Sequence, residues 1–123
     1  MKMDISASQL TRVVENCSAN LLLVDCRPFP IFNKDHIKGS VNAFCPPILK
    51  RRVASRGFVR LESVVSPDIR HRLRSGEFST LVLYDEAGEL KDASIIHLIQ
   101  QGMHKHNYSM KTTCILKGKY SIK

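Results

Sequence analysis

Short unbroken apolar runs and segments of helical apolar spacing follow one another along this chain. From Ser6, a residue suited to capping a helix, Leu10, Val13, Val14 and Cys17 recur at helical spacing. Leu21-Leu22-Leu23-Val24-Asp25 then forms a continuous apolar run, the pattern of a strand buried on both faces of a parallel sheet. Pro28 and Pro30 interrupt regular structure, and Phe29 and Phe32 fit a single helical turn before His36-Ile37-Lys38-Gly39. Ser40 to Phe44 reads as a second, shorter strand. Pro46-Pro47 opens a helix that runs to about Ser55 and stops near Gly57. Ser66-Pro67-Asp68 starts another, carrying Ile69 and Leu73 and closed by Ser75-Gly76. Leu81 to Tyr84 is the third strand, ending in Asp85-Glu86-Ala87-Gly88. Asp92 caps a helix with Ile95, Ile96, Ile99 and Met103 on one side, and Thr113 to Leu116 is the last strand. Helices alternating with short apolar strands predict an α/β sandwich with a mostly parallel central sheet flanked by helices.

The 123 residues show no repeat, linker or low-complexity segment, so one domain over 1–123 is expected. Apolar and charged fractions of 43% and 24% are those of a globular protein. No apolar run approaches the roughly 20 residues that span a bilayer, and no secretory signal stands at the N-terminus. The expectation is an intracellular protein, in the nucleus or the cytoplasm, that does not enter a membrane.

Charge changes the picture more than composition does. Between Lys50 and Arg74 stand eight cations (Lys50, Arg51, Arg52, Arg56, Arg60, Arg70, Arg72, Arg74) and two acids (Glu62, Asp68). That stretch therefore carries +6 of the net +8, leaving +2 for the other 98 residues. A field this concentrated steers and holds an acidic partner. Its densest part, Lys50-Arg51-Arg52, is bracketed by Ile48, Leu49 and Val53, so cations and apolar side chains share one segment. A solvated helix face is the ordinary fate of such a run. Here no acid interrupts the triplet to neutralise it from within the helix.

The cysteines, Cys17, Cys26, Cys45 and Cys114, are 9, 19 and 69 residues apart. No C-x-x-C pair occurs, which argues against a zinc knuckle or a thioredoxin-like redox motif. The five histidines add no ligand spacing, so neither a metal nor a cofactor is expected. Reduced, packed thiols are the simplest reading.

Leu23-Val24-Asp25-Cys26-Arg27-Pro28-Phe29, followed by His36-Ile37-Lys38-Gly39-Ser40-Val41-Asn42, resembles the motif pair of rhodanese-like domains. The basic Ile48-Leu49-Lys50-Arg51-Arg52, then Arg72-Leu73-Arg74-Ser75-Gly76, Leu83-Tyr84-Asp85-Glu86 and Ile115-Leu116-Lys117-Gly118 narrow the resemblance. They are similar to the rhodanese-like, kinase-binding domain found at the N-terminus of MAP kinase phosphatases, which are dual-specificity phosphatases. The match spans about residues 21 to 120. Lys119 departs from it, standing where that family places a second glycine. The H-C-x5-R signature of the family's phosphatase domain is not among these residues. The resemblance implies a three-layer rhodanese-like sandwich and a docking role. In that role a MAP kinase's acidic common-docking patch takes Arg51, Arg52 and Lys50, and a neighbouring groove takes Ile48, Leu49 and Val53. Arg56 and Arg60 would add long-range steering, and a phosphatase domain would lie in cis in the full-length family member.

A sulfurtransferase of this fold needs a cysteine at the end of the third strand, its thiolate cradled by backbone N–H groups. Asp85 stands there, with Glu86 and Gly88 in what reads as a degenerate loop, and a carboxylate carries no persulfide. The chain is therefore expected to be non-catalytic. Cys26, Cys45 and Cys114, in or beside predicted strands or ahead of two prolines, offer no replacement. Arg27 and His36 read as loop-fixing residues, and Arg70, Arg72 and Arg74 as solvated surface. Two alternatives remain: an active sulfurtransferase or phosphatase, and a nucleic-acid-binding module. The second is weak, because the basic stretch holds only Phe58 as an aromatic for base stacking.

Overall fold

The computed structural model describes residues 2–43, 47–85, 95–106 and 110–116, with the backbone but not the side chains of Lys2, Met3, Ala7, Cys17, Ser18, Pro47, Lys50, Val53 and Ala54. The elements in order are β1 (Lys2–Ile5), α1 (Ala7–Cys17), β2 (Leu21–Asp25), α2 (Phe29–Lys34), β3 (Val41–Asn42) and α3 (Pro47–Arg56). They continue with a short 3-10 turn (Leu61–Ser63), α4 (Pro67–Arg74), β4 (Thr80–Tyr84), α5 (Ile95–Lys105) and β5 (Thr112–Leu116). The strands form one sheet in the order β1-β5-β4-β2-β3, and every pairing in it is parallel.

Helix boundaries follow local chemistry. Ser6 begins α1 with a reciprocal capping box: its Oγ accepts from the Gln9 backbone N–H, and its own N–H donates to Gln9 Oε1 at 2.8 Å. Ser66 caps α4 through Ile69 N, with Pro67 in the first turn. Gly57 ends α3 at φ +80°, a left-handed conformation that glycine adopts without steric cost. Asp92, the expected cap of α5, lies outside the described residues.

Strand pleat divides the core into two halves. Leu22, Val24, Leu81, Leu83 and Ile115 face one way, where they meet Ile69 and Leu73 of α4 and Ile96 and Ile99 of α5. Leu23, Val82, Tyr84, Cys114 and Leu116 face the other, together with Ile5 of β1, where Leu10 of α1 packs on them. Successive strand residues point to opposite faces, so unbroken apolar runs such as Leu21–Val24 and Leu81–Tyr84 require helices on both sides. The result is a three-layer α/β/α sandwich.

Two elements differ from the sequence expectation. β1 has no counterpart in it: Lys2–Ile5 is too short for a periodic signal, and its place comes from parallel pairing with β5, Ile5 opposite Leu116. The strand expected over Ser40 to Phe44 is reduced to Val41–Asn42, paired to Val24 and Asp25 at the sheet edge. Phe44 lies outside the described residues.

One close approach fixes α5. A Cβ on Gly102 would collide with the Val59 carbonyl oxygen, beside the hydrogen bond from Val59 N to the Leu98 carbonyl (3.0 Å). Gly102→Ala gains helix propensity of up to about 1 kcal/mol. Forcing apart a packed helix and backbone costs about 1–3 kcal/mol, so the overlap decides the sign. The variant is expected to unfold at lower urea concentration than the wild type with an unchanged m-value.

Candidate functional site

The carboxyl ends of the parallel strands are where an open α/β sheet ordinarily holds its ligand. Here that edge is filled by a polar network. Asp25, fully buried at the end of β2, accepts from Arg27 four times. The bonds to Oδ1 come from the backbone N–H (2.9 Å) and Nε (3.0 Å), and those to Oδ2 from Nε (3.0 Å) and Nη2 (2.7 Å). Arg27 Nη2 also donates to the Asp35 carbonyl at 2.6 Å. Asn42 Nδ2 donates to the carbonyls of Asp25 and Arg27, and Ala43 N donates to that of Asp25. The Arg27 guanidinium is thus committed to the loop, as the structural reading of its sequence context has it.

Tyr84, at the end of β4, donates its hydroxyl to Ser40 Oγ (3.0 Å) and accepts from Ile37 N (3.3 Å). Burial, with the nearby Asp25 carboxylate, pushes its phenol well above the ordinary range, so the hydroxyl stays protonated. His36 stacks on Phe32 with ring centroids 3.9 Å apart, and its Nδ1 lies 2.8 Å from the Phe32 carbonyl oxygen. A carbonyl only accepts, so Nδ1 carries the proton. Asp85 is half-buried just beyond Tyr84. Glu86 and Gly88 lie outside the described residues. Cys26 is buried beside this edge, its N–H donating to the Tyr84 carbonyl. Burial, and then the carboxylates of Asp25 and Asp85, push its thiol well above the ordinary value. A thiol held protonated is a poor nucleophile. Among the described residues no group of three or more His, Cys, Asp and Glu gathers for a metal ion.

The basic stretch separates into two surfaces. On α3, Arg51 and Arg52 follow Ile48 by three and four residues, and all three are exposed, Ile48 at 69%. Neither arginine has an ion pair among the described residues. Leu49, expected beside them as an apolar partner, turns instead toward the core and packs against its larger half. Arg56 and Lys105 both lie over the Phe58 ring, at 5.4 and 5.1 Å from its centroid.

The second surface centres on Glu62, buried in the 3-10 turn. Arg60 Nη2 reaches Glu62 Oε1 at 2.6 Å, and Arg74 Nε reaches Oε2 at 2.9 Å. Arg70 Nε donates to the Glu62 carbonyl at 2.9 Å. Arg72 lies 4.7 Å over the Phe78 ring and 3.5 Å from the Glu77 carboxylate. The α4 arginines are therefore anchored and not simply solvated, and Arg60, expected to act by steering, is held in an ion pair. The sequence concealed this because Glu62 and Arg74 are twelve residues apart and on different elements.

A family model, the rhodanese-like domain, matches residues 6–121. The chain belongs to the rhodanese-like domain family. Within it, this rhodanese-like chain is 39% identical over 105 residues to dual specificity protein phosphatase 4 of Rattus norvegicus, an alignment covering 80% of this chain and 26% of that protein. It is 36% identical over 91 residues to dual specificity protein phosphatase 1 of Mus musculus, covering 73% and 24%. The chain thus spans about a quarter of the length of these relatives. Among solved structures, the As-Sb reductase from Leishmania major superposes with a TM-score of 0.59 at 13% identity, over 98% of this chain and 74% of that one, a likeness of fold.

Two predictions come from this edge. Asp25→Ala strands a buried guanidinium, and breaking one side of such a pair costs about 3–5 kcal/mol, measurable as a lowered urea midpoint. Cys26 keeps its proton in the folded state beyond the point at which an unfolded thiol ionises, about pH 8.5. Its contribution to stability is therefore complete below that pH and is lost as pH rises above it. The urea midpoint should fall between pH 7.5 and 9.5, and fall less in Cys26→Ala. Site-resolved alkylation of folded protein should leave Cys26 largely unmodified at pH 7.5.

Proposed function

We propose that this rhodanese-like chain is a non-catalytic docking domain that binds a MAP kinase through the outer face of α3, in the service of a dual-specificity phosphatase that inactivates such kinases. The observation that carries the reading is the exposed row Ile48, Arg51 and Arg52, two cations beside an aliphatic side chain with no acid paired to them among the described residues. Lys50 belongs to the same segment, and Arg56 stands one turn beyond Arg52. The named relatives support the setting: both are dual specificity phosphatases, aligned over about a quarter of their length. In the whole protein the phosphatase domain would lie in cis, in the nucleus or the cytoplasm.

Chemistry supports the same division of labour. Arginine's planar fork meets a carboxylate with two parallel hydrogen bonds, so an acidic patch on the kinase suits Arg51 and Arg52. At the strand edge Cys26, the buried thiol near Asp85 among the described residues, is held protonated, and the arginine there is bound to Asp25. Sulfur or phosphoryl transfer would need a thiolate and a free cation in that place. Phe58, the one aromatic in the basic stretch, lies beneath two cations, which disfavours base stacking and hence the nucleic-acid reading.

Arg51→Ala/Arg52→Ala should weaken kinase binding at least tenfold, about 1.4 kcal/mol or more, while the melting temperature is unchanged. Wild-type affinity should fall with salt, because exposed charges are screened beyond roughly 8 Å at physiological ionic strength. Titration of each MAP kinase class against both proteins measures this, and equal affinity of the two proteins at moderate salt would sink the reading. A thiosulfate:cyanide assay showing turnover that one cysteine substitution abolishes would restore the enzymatic alternative.

A further inference from the structure

Leu49, turned away from the outer face of α3, helps to wall a cleft of about 490 Å³. Phe29 of α2, Val41 of β3, and Val64 and Val65 after the 3-10 turn supply the rest of its apolar wall, with Asn42, Ser63 and Ser66 as its polar members. The described residues expose two large apolar side chains, Ile48 and Phe29. Phe29, at 51%, stands in this wall on a helix that buries none of its own residues. An exposed large apolar side chain is the informative departure from ordinary surface composition.

Leu49 and Ser63 also line an adjoining hollow of about 400 Å³, whose other lining residues are Arg60, Glu62, Arg70 and Arg74. Glu62 is shared between Arg60 and Arg74, whereas Arg70, among the described residues, donates to the backbone carbonyls of Glu62 and Val65. Three guanidiniums against one carboxylate leave this end cationic. The two hollows together form a groove that is apolar at the Phe29 end and positive at the Arg74 end, with Ser63 at the junction.

We infer that this groove is a second docking site, for a short protein segment that places a large apolar side chain in the Phe29–Val65 cleft and acidic side chains against Arg60, Arg70 and Arg74. The charge complementarity selects the acidic flank, and the half-exposed Phe29 ring selects the apolar anchor. The occupant is a peptide and not a small anion, because the apolar and cationic ends are separate hollows joined through shared residues, which one extended segment would bridge. The groove differs from the Ile48–Arg52 face in residues and in direction, so the inference does not depend on the kinase reading.

The test pans a phage-displayed library of random dodecapeptides on the whole chain and measures the winners by fluorescence anisotropy. Enriched peptides are expected to join Leu, Ile, Phe or Met to two or more Asp or Glu. Ser63→Glu and Phe29→Asp, both at exposed positions and checked for unchanged melting temperature, should each weaken them at least tenfold. Arg51→Ala/Arg52→Ala should leave them within twofold. No enrichment, enrichment of peptides without acids, or winners lost in the α3 double variant but kept in Ser63→Glu would each overturn the assignment.

Discussion

The clamp between Asp25 and Arg27 holds this fold's working parts in place. A carboxylate with no solvent exposure is tolerable only when its lone pairs are filled, and one side chain two residues away fills most of them. The same aspartate's carbonyl takes Ala43 N and Asn42 Nδ2, and the same arginine reaches the Asp35 carbonyl. Both ends of the segment between β2 and β3 are thereby tied to a single point on the sheet. β3 is only two residues long, too short to hold its register unaided. With the clamp it sits at the sheet edge and sets where the chain departs toward α3.

The same contacts bear on catalytic capacity. In an open parallel sheet, the strand ends ordinarily expose a mouth where ligands sit. Here the guanidinium that could meet an anion is spent on Asp25, Tyr84 is tied to Ser40 and Ile37, and Cys26 is buried between carboxylates. Arg27 and Tyr84 are thus engaged with the segment between β2 and β3, and Cys26 is buried at its start. Function lives in sites and not in folds, and at these strand ends the polar groups described are engaged with one another.

Much of this was legible in the sequence, and the reasons are local. Leu21–Val24 and Leu81–Tyr84 could only be strands covered on both faces, Ser6 and Ser66 are chemical caps, and Gly57 marks a stop. Asp25 and Arg27, two apart at the end of a buried strand, announce their own pairing. What stayed hidden depended on distance along the chain. β1 exists through its register with β5, more than a hundred residues away. The inward turn of Leu49 follows from its angular position against a core that a linear pattern does not contain. Arg74 looked like free charge because its partner Glu62 lies twelve residues away on another element, whereas Arg60, two residues from Glu62, pairs with it locally at the 3-10 turn.

That last point alters what net charge means for this molecule. Eight cations between Lys50 and Arg74 suggest a diffuse basic field, yet one buried glutamate sorts them into different uses. Arg60 and Arg74 are oriented by Glu62, so their residual charge is presented in fixed geometry over a hollow. Arg51 and Arg52 have no such partner among the described residues, so they keep full charge and rotamer freedom on the helix surface. Pre-oriented cations lose little entropy on meeting an acid, and mobile ones lose more but reach further. A domain carrying both kinds, one on α3 and the other at the 3-10 turn and on α4, can separate long-range capture from short-range recognition. The divide between them is drawn by Glu62, which orients Arg60 and Arg74.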